Sequence, residues 1–156
     1  ARATSDEATT AVDIHQLLEE IAARYARLGA PLQLESTEPL QTPEVMLRPM
    51  AIRRAIGNLI ENARKYGGGD ITLRAYQTGE RLTIEVLDRG PGIPAEDVER
   101  MKRPFTRLES ARTDAKGTGL GLAIVERIVR LHGGTMDLLP REGGGMVAAL
   151  RLPCKT

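Results

Sequence analysis

Two alternating apolar runs, DITLRAYQ and RLTIEVLD, lie across residues 70–88 with only TGE between them. Side chains that alternate at period two, joined by so short a glycine-bearing link, make an antiparallel hairpin with one apolar face. That face needs cover. The chain supplies it as helical patterns placed before and after the hairpin, so the expected class is α+β, a two-layer α/β sandwich. About three main helices should sit on one face of a mixed β-sheet.

Asp13 opens the first helix, with Gln16 as a capping-box-like partner and Val12 placed to staple onto Leu17. Ile14, Leu17, Leu18, Ile21, Tyr25 and Leu28 hold one face until Gly29 and Pro31 end it. LQLES and EVMLR read as short strands separated by Pro39 and Pro43. Pro49 suits the first turn of a second helix, which runs to about Tyr66 and is stopped by Gly67, Gly68 and Gly69. After the hairpin come the turn RGPGIP and a loop of mixed charge over about 100–118, then a helix from roughly Leu120 to His132. TMDLLP and GMVAALRLP form a closing hairpin around Gly143, Gly144 and Gly145. The opening ARATSDEATT is small and polar, which puts a linker remnant at 1–11 and the folded domain at 12–156.

At 156 residues the chain suits one domain with a real core. Aromatic content of 3% leaves that core to Leu, Ile, Val and Ala. A formal net charge of +1 argues against a global electrostatic footprint for nucleic acid. One cysteine, Cys154, rules out an internal disulfide and fits a reducing compartment. No apolar run approaches the roughly 18 residues of a membrane span, and no signal-peptide pattern is present. The polar opening suggests a piece of something larger.

Three constellations carry chemistry. In NLIENARKY, Ile52, Ile56, Leu59, Ile60 and Ala63 form the apolar arc, while Asn58, Asn62 and Lys65 share the flanking one. Asparagine is a poor interior helix residue. Two of them one turn apart, with a lysine, suit Mg²⁺ and phosphate; they equally suit a solvated helix face. Asp88 closes an apolar strand before RGPGI, where a carboxylate can accept from an exocyclic amine such as that of adenine. Gly90 and Gly92 let backbone approach a flat base, or simply make a turn. GTGLGL places Gly117, Gly119 and Gly121 at a helix entrance, where free amides and the helix dipole form a phosphate cradle. The alternative is a hinge before a core helix. The preceding loop, KRPFTRLESARTDAK, is basic, with Phe105 placed to pin its base to the core.

Taken in order, these boxes resemble the catalytic ATP-binding domain of bacterial sensor histidine kinases, most closely the EnvZ-like osmosensing branch. NLIENARKY is similar to the N box, DRGPGI to the first Gly box, RPFTRLESAR to the Phe box and GTGLGLAIVERIVRLHGG to the second Gly box. The resemblance runs from about residue 45 to the end. It implies a Bergerat-type fold with a mobile lid at about 100–118, binding ATP and Mg²⁺. By it Asn62 ligates the metal, Asn58 assists around the phosphates, Lys65 reaches phosphate and Tyr66 lies by the nucleotide. Asp88 binds adenine, Gly90 and Gly92 shape its pocket, and Gly117, Gly119 and Gly121 line the phosphates. Ile93, Phe105, Arg107, Thr118 and Leu120 fall in the same boxes and complete the implied nucleotide-binding set.

The sequence departs from the family in two places. GGGMVAAL lacks the Thr or Phe that relatives often carry there, so no site is assigned to it. The phosphoacceptor motif is missing, because His15 sits beside a capped helix start and His132 closes a core helix next to Gly133. The implied function is γ-phosphoryl transfer to a histidine on a separate dimerisation domain, for signalling to a response regulator. The domain alone is expected to be inactive and monomeric, cytoplasmic within a dimeric inner-membrane parent. An ATP-hydrolysing clamp of the gyrase or chaperone kind is the alternative. In those relatives a glutamate stands where this chain has Asn58, and here Glu61 points roughly 100° away from Asn62, four residues before Lys65 as a helix-supporting pair. A non-catalytic nucleotide-binding docking module is a further alternative.

Overall fold

The computed structural model describes residues 7–36, 44–66, 70–90, 118–141 and 144–154. Their elements run in chain order: β1 (Thr10–Asp13), α1 (Ile14–Arg27), β2 (Gln33–Ser36), β3 (Glu44–Leu47), α2 (Pro49–Tyr66), β4 (Thr72–Thr78), β5 (Arg81–Leu87), α3 (Thr118–Leu131), β6 (Thr135–Pro140) and β7 (Met146–Pro153). Five strands lie side by side as β2-β4-β5-β7-β6, and β1 pairs separately with β3. β2 runs parallel to β4 while the other neighbours are antiparallel, so the sheet is mixed.

The expected hairpin is β4–β5, with Leu73 opposite Val86 and Ala75 opposite Ile84. These four, with Leu150 and Met136 farther across, face the helices in one hydrophobic core. All the predicted apolar positions of α2, from Ile52 to Ala63, are buried there. Leu122, Val125, Ile128 and Val129 of α3 join them, so three helices and a mixed sheet make the two layers the alternation predicts.

The other sheet face is polar. One register row crosses the sheet through Glu35, Arg74, Glu85, Ala149 and Asp137. Arg74 bridges Glu85 at 2.6 Å and Glu35 at 3.0 Å, and the Tyr76 hydroxyl donates to the second Glu85 oxygen at 3.2 Å. Glu85 can therefore lie only 5% exposed with both oxygens paired. Charged residues in a strand pattern here mark a cross-strand network.

Several expectations need correction. Asp13 does cap α1, accepting the Gln16 amide at 3.0 Å, but the Gln16 side chain donates to Glu20 instead of closing the box. Leu28 lies beyond the end of α1 and is 65% exposed. α3 begins at Thr118, two residues before the expected start. The linker expected at 1–11 does not extend that far: residues 10 and 11 are strand, paired to Leu47 and Met46. Glu7 caps α2, its carboxylate accepting the Met50 and Ala51 amides at 2.8 and 3.0 Å. Backbone pairing and a charge at a helix N-terminus hold this segment, and neither leaves an apolar signature.

The same corner explains His132. Its Nε2 accepts the Arg48 amide at 3.0 Å and its Nδ1 lies 2.8 Å from the Ile128 carbonyl, which defines the neutral tautomer protonated on Nδ1. Arg48 also donates through Nε to the Glu7 carbonyl at 2.9 Å. Gly133 follows in the left-handed region at φ 77°, the C-terminal cap expected of it. Burial holds the His132 pKa below the ordinary histidine value, with the Ile128 carbonyl opposing and Arg48 adding to the shift. The unfolded chain therefore binds this proton more readily, so stability is full above the unfolded value of about 6.5 and is lost as pH falls through and below it. Thermal unfolding should show a lower midpoint at pH about 5.5 than at about 7.5. His132→Gln should remove most of that difference; an unchanged pH slope in the variant contradicts the assignment.

Candidate functional site

α2 packs its apolar arc on the sheet, which leaves the Asn58–Asn62 flank at the edge nearest α3. The Asn58 side-chain amide reaches the Gly121 carbonyl at 3.5 Å, a long contact that ties the middle of α2 to the first turn of α3. One helical turn on, Asn62 is only 8% exposed, and both polar atoms of its carboxamide are buried without a hydrogen-bond partner among the described residues. Each such atom costs about 1–3 kcal/mol unless something satisfies it. Lys65 follows on the same flank and is exposed.

Glu61 is engaged elsewhere. Its carboxylate accepts the Tyr25 hydroxyl at 3.1 Å and pairs with Arg64 at 3.2 Å, so the expected pairing with Lys65 gives way to one at i, i+3. Burial, reinforced by the Glu61 charge, pushes the Tyr25 phenol up to about 12 and keeps it a donor. Glu61 thus faces α1.

Asp88 sits one residue past β5 and is 7% exposed. Its Oδ1 accepts the Gly90 amide at 2.8 Å, the local loop that an aspartate two residues before a glycine makes. The first turn of α3 contains Thr118, Gly119, Leu120 and Gly121. Its leading amides have no intrahelical partner. A Cβ placed on Gly121 would meet no described atom within 4 Å, so this glycine borders open space and is not squeezed by packing.

The structure therefore brings Asn58 to Gly121 and buries Asn62 and Asp88. Gly92, Ile93, Phe105, Arg107, Gly117 and all but the last residue of the expected lid lie outside the described residues, as do the side chains of Tyr66, Thr118 and Leu120. Sequence reasoning missed Arg141, whose guanidinium donates to the Asp88 carbonyl at 3.1 Å. The signal was the glycine run after it, which was read only as a turn.

Residues 48–156 match the family described as histidine kinase-, DNA gyrase B- and HSP90-like ATPase. The chain belongs to that family. Among curated relatives, the histidine protein kinase DivJ of Caulobacter vibrioides is 39% identical over 80% of this chain and 21% of its own length. The ATP-binding domain of PrrB from Mycobacterium tuberculosis superposes with a TM-score of 0.75 at 30% identity, covering 96% of this chain and 100% of that one. The histidine kinase domain of the E. coli osmosensor EnvZ gives 0.70 at 36% identity, covering 97% and 92%. DivJ and EnvZ are thus similar to a comparable degree. The domain is an ATP-binding catalytic domain of the sensor histidine kinase type, with the Bergerat-type fold expected of it. It spans between 21% and 38% of the length of the curated relatives it matches, and among the described residues no helix is long and apolar enough to cross a membrane.

Because Glu61 belongs to the α1 side, Tyr25→Phe should destabilise the domain by about 1 kcal/mol in urea unfolding. Mg·nucleotide affinity should stay unchanged; a large loss of affinity would place Glu61 in the site.

Proposed function

We propose that the domain binds Mg·ATP between the Asn58–Lys65 flank of α2, the N-terminus of α3 and Asp88. In this reading it presents the γ-phosphoryl to a histidine on a separate dimerisation and phosphoacceptor domain, from which a response regulator is charged. The observation that carries this reading is the buried carboxamide of Asn62, which has no partner among the described residues. An amide oxygen is a hard ligand of the kind Mg²⁺ takes alongside water and phosphate oxygens. When bound, the metal supplies charge neutralisation between phosphate oxygens.

The remaining chemistry belongs to the chain. Lys65 offers an ammonium to phosphate, and the leading amides of α3 donate to anionic oxygen with the helix dipole behind them. Asp88 accepts from the exocyclic N6 amine of adenine, where guanine carries a carbonyl oxygen that would face the carboxylate as a second acceptor. Asn58 has no basic atom with which to activate water, and Glu61 is held by Tyr25 and Arg64. This supports transfer to a protein acceptor over hydrolysis. His132 has both ring nitrogens in hydrogen bonds, which supports an acceptor outside this chain. The whole kinase is expected to be a dimer of the bacterial inner membrane with this domain on the cytoplasmic side.

Calorimetric titration with Mg·ATP and Mg·GTP should show a preference for ATP that Asp88→Asn removes, with a loss of about tenfold or more in ATP affinity. Mixed with a histidine-bearing hairpin domain from a relative and γ-labelled ATP, the domain should transfer acid-labile label to that partner and none to itself. Tight ATP binding without transfer would leave a docking module, and rapid phosphate release by the domain alone would make it a hydrolase.

A further inference from the structure

The ladder between β5 and β7 ends at Leu87 opposite Val147, so Asp88 stands just beyond the regular sheet. A residue there is free to swing unless something else holds its backbone. The start of β7 and the described ends of the turn before it, Arg141, Gly144 and Gly145, do so. The Asp88 amide donates to the Met146 carbonyl at 3.0 Å, and its carbonyl accepts from Arg141 Nη1 at 3.1 Å. Arg89 Nη1 donates to the Gly144 carbonyl at 3.3 Å.

The turn is itself closed, with the Arg141 amide donating to Gly145 at 2.9 Å and the Gly144 amide to Arg141 at 3.0 Å. Gly145 has φ +102°, and a Cβ there would fall 2.0 Å from the Asp88 carbonyl oxygen. The two backbones touch, and only glycine permits it. Arg141 is held in this contact beside like charges: burial first, then Arg89 and Arg74, draw its pKa below the ordinary arginine value. The Asp88 and Glu35 carboxylates oppose that shift, and the bond to the Asp88 carbonyl adds a charge-assisted contact.

We propose that Arg141 is a positioning residue for base recognition: with the Gly145 contact, it fixes the main chain of Asp88 so that its carboxylate meets the adenine edge. This rests on the reading of Asp88 as the adenine acceptor. Base selectivity then depends on the β6–β7 turn, which acts through Asp88.

The test titrates Mg·ATP, Mg·GTP and Mg·tripolyphosphate against the unaltered domain, Arg141→Met, Arg141→Lys, Asp88→Asn and the Arg141→Met/Asp88→Asn double variant. Arg141→Met should weaken Mg·ATP about fivefold, the worth of one hydrogen bond, and shrink the ATP-over-GTP preference by a similar factor. Tripolyphosphate binding should not change, Arg141→Lys should recover part of the loss, and the methionine should add nothing in the Asp88→Asn background. Equal losses for ATP and tripolyphosphate would show a merely structural role and overturn the proposal. So would unchanged ATP binding by Arg141→Met when Asp88→Asn weakens it. If Asp88→Asn leaves ATP binding intact, the adenine reading itself fails and takes the proposal with it.

Discussion

A carboxamide buried with neither atom hydrogen-bonded is a standing cost to a fold, about 1–3 kcal/mol for each unmet group. Among the described residues Asn62, in the last turns of α2, carries that cost. The same helix packs Ile52, Ile56, Leu59 and Ile60 against the sheet with at most 2% exposure. With that arc buried, a 3.6-residue period leaves no freedom in where Asn58 and Asn62 point. The rigidity of the apolar contact is what holds the polar flank in place, and what prevents the amide from turning outward to water.

The other parts of the site are tied to the same frame. α3 packs Val125 and Val129 into the core, and its first turn meets Asn58 through the Gly121 carbonyl. Asp88 follows β5, a central strand bonded on both sides, and the β6–β7 turn closes on its backbone. Glu7, Arg48 and His132 lock the far ends of α2 and α3 together. The helices are thus fixed at the end away from the site, and their facing ends border the open space beside Gly121.

How much of this could be read beforehand follows from which interactions leave a pattern. Strong periodicity and glycine or proline punctuation made α2 legible, with its first turn at Pro49 and its end at about Tyr66, and alternation made the β4–β5 hairpin legible. The asparagine pair was visible because asparagine is out of place in a helix. Other features were not legible for physical reasons. β1 is held by backbone pairing and by the Glu7 cap, which any polar sequence could supply. Leu28 fits the helical period but lies past the point where the helix stops. Arg74 and Glu85 look like ordinary strand charges until the register places them opposite each other. Arg141 acts on a main-chain carbonyl 53 residues away, and no local pattern records such a contact.

We propose that Asn62, unpartnered among the described residues, takes the metal–nucleotide complex as its partner. Asn62→Leu, close to isosteric, tests it directly by thermal unfolding with and without Mg·ATP. The variant's midpoint without nucleotide should equal or exceed that of the unaltered domain, since a buried unmet amide is gone. The rise on adding Mg·ATP, clear in the unaltered domain, should be nearly abolished. A variant destabilised without nucleotide and still fully stabilised by Mg·ATP would contradict it.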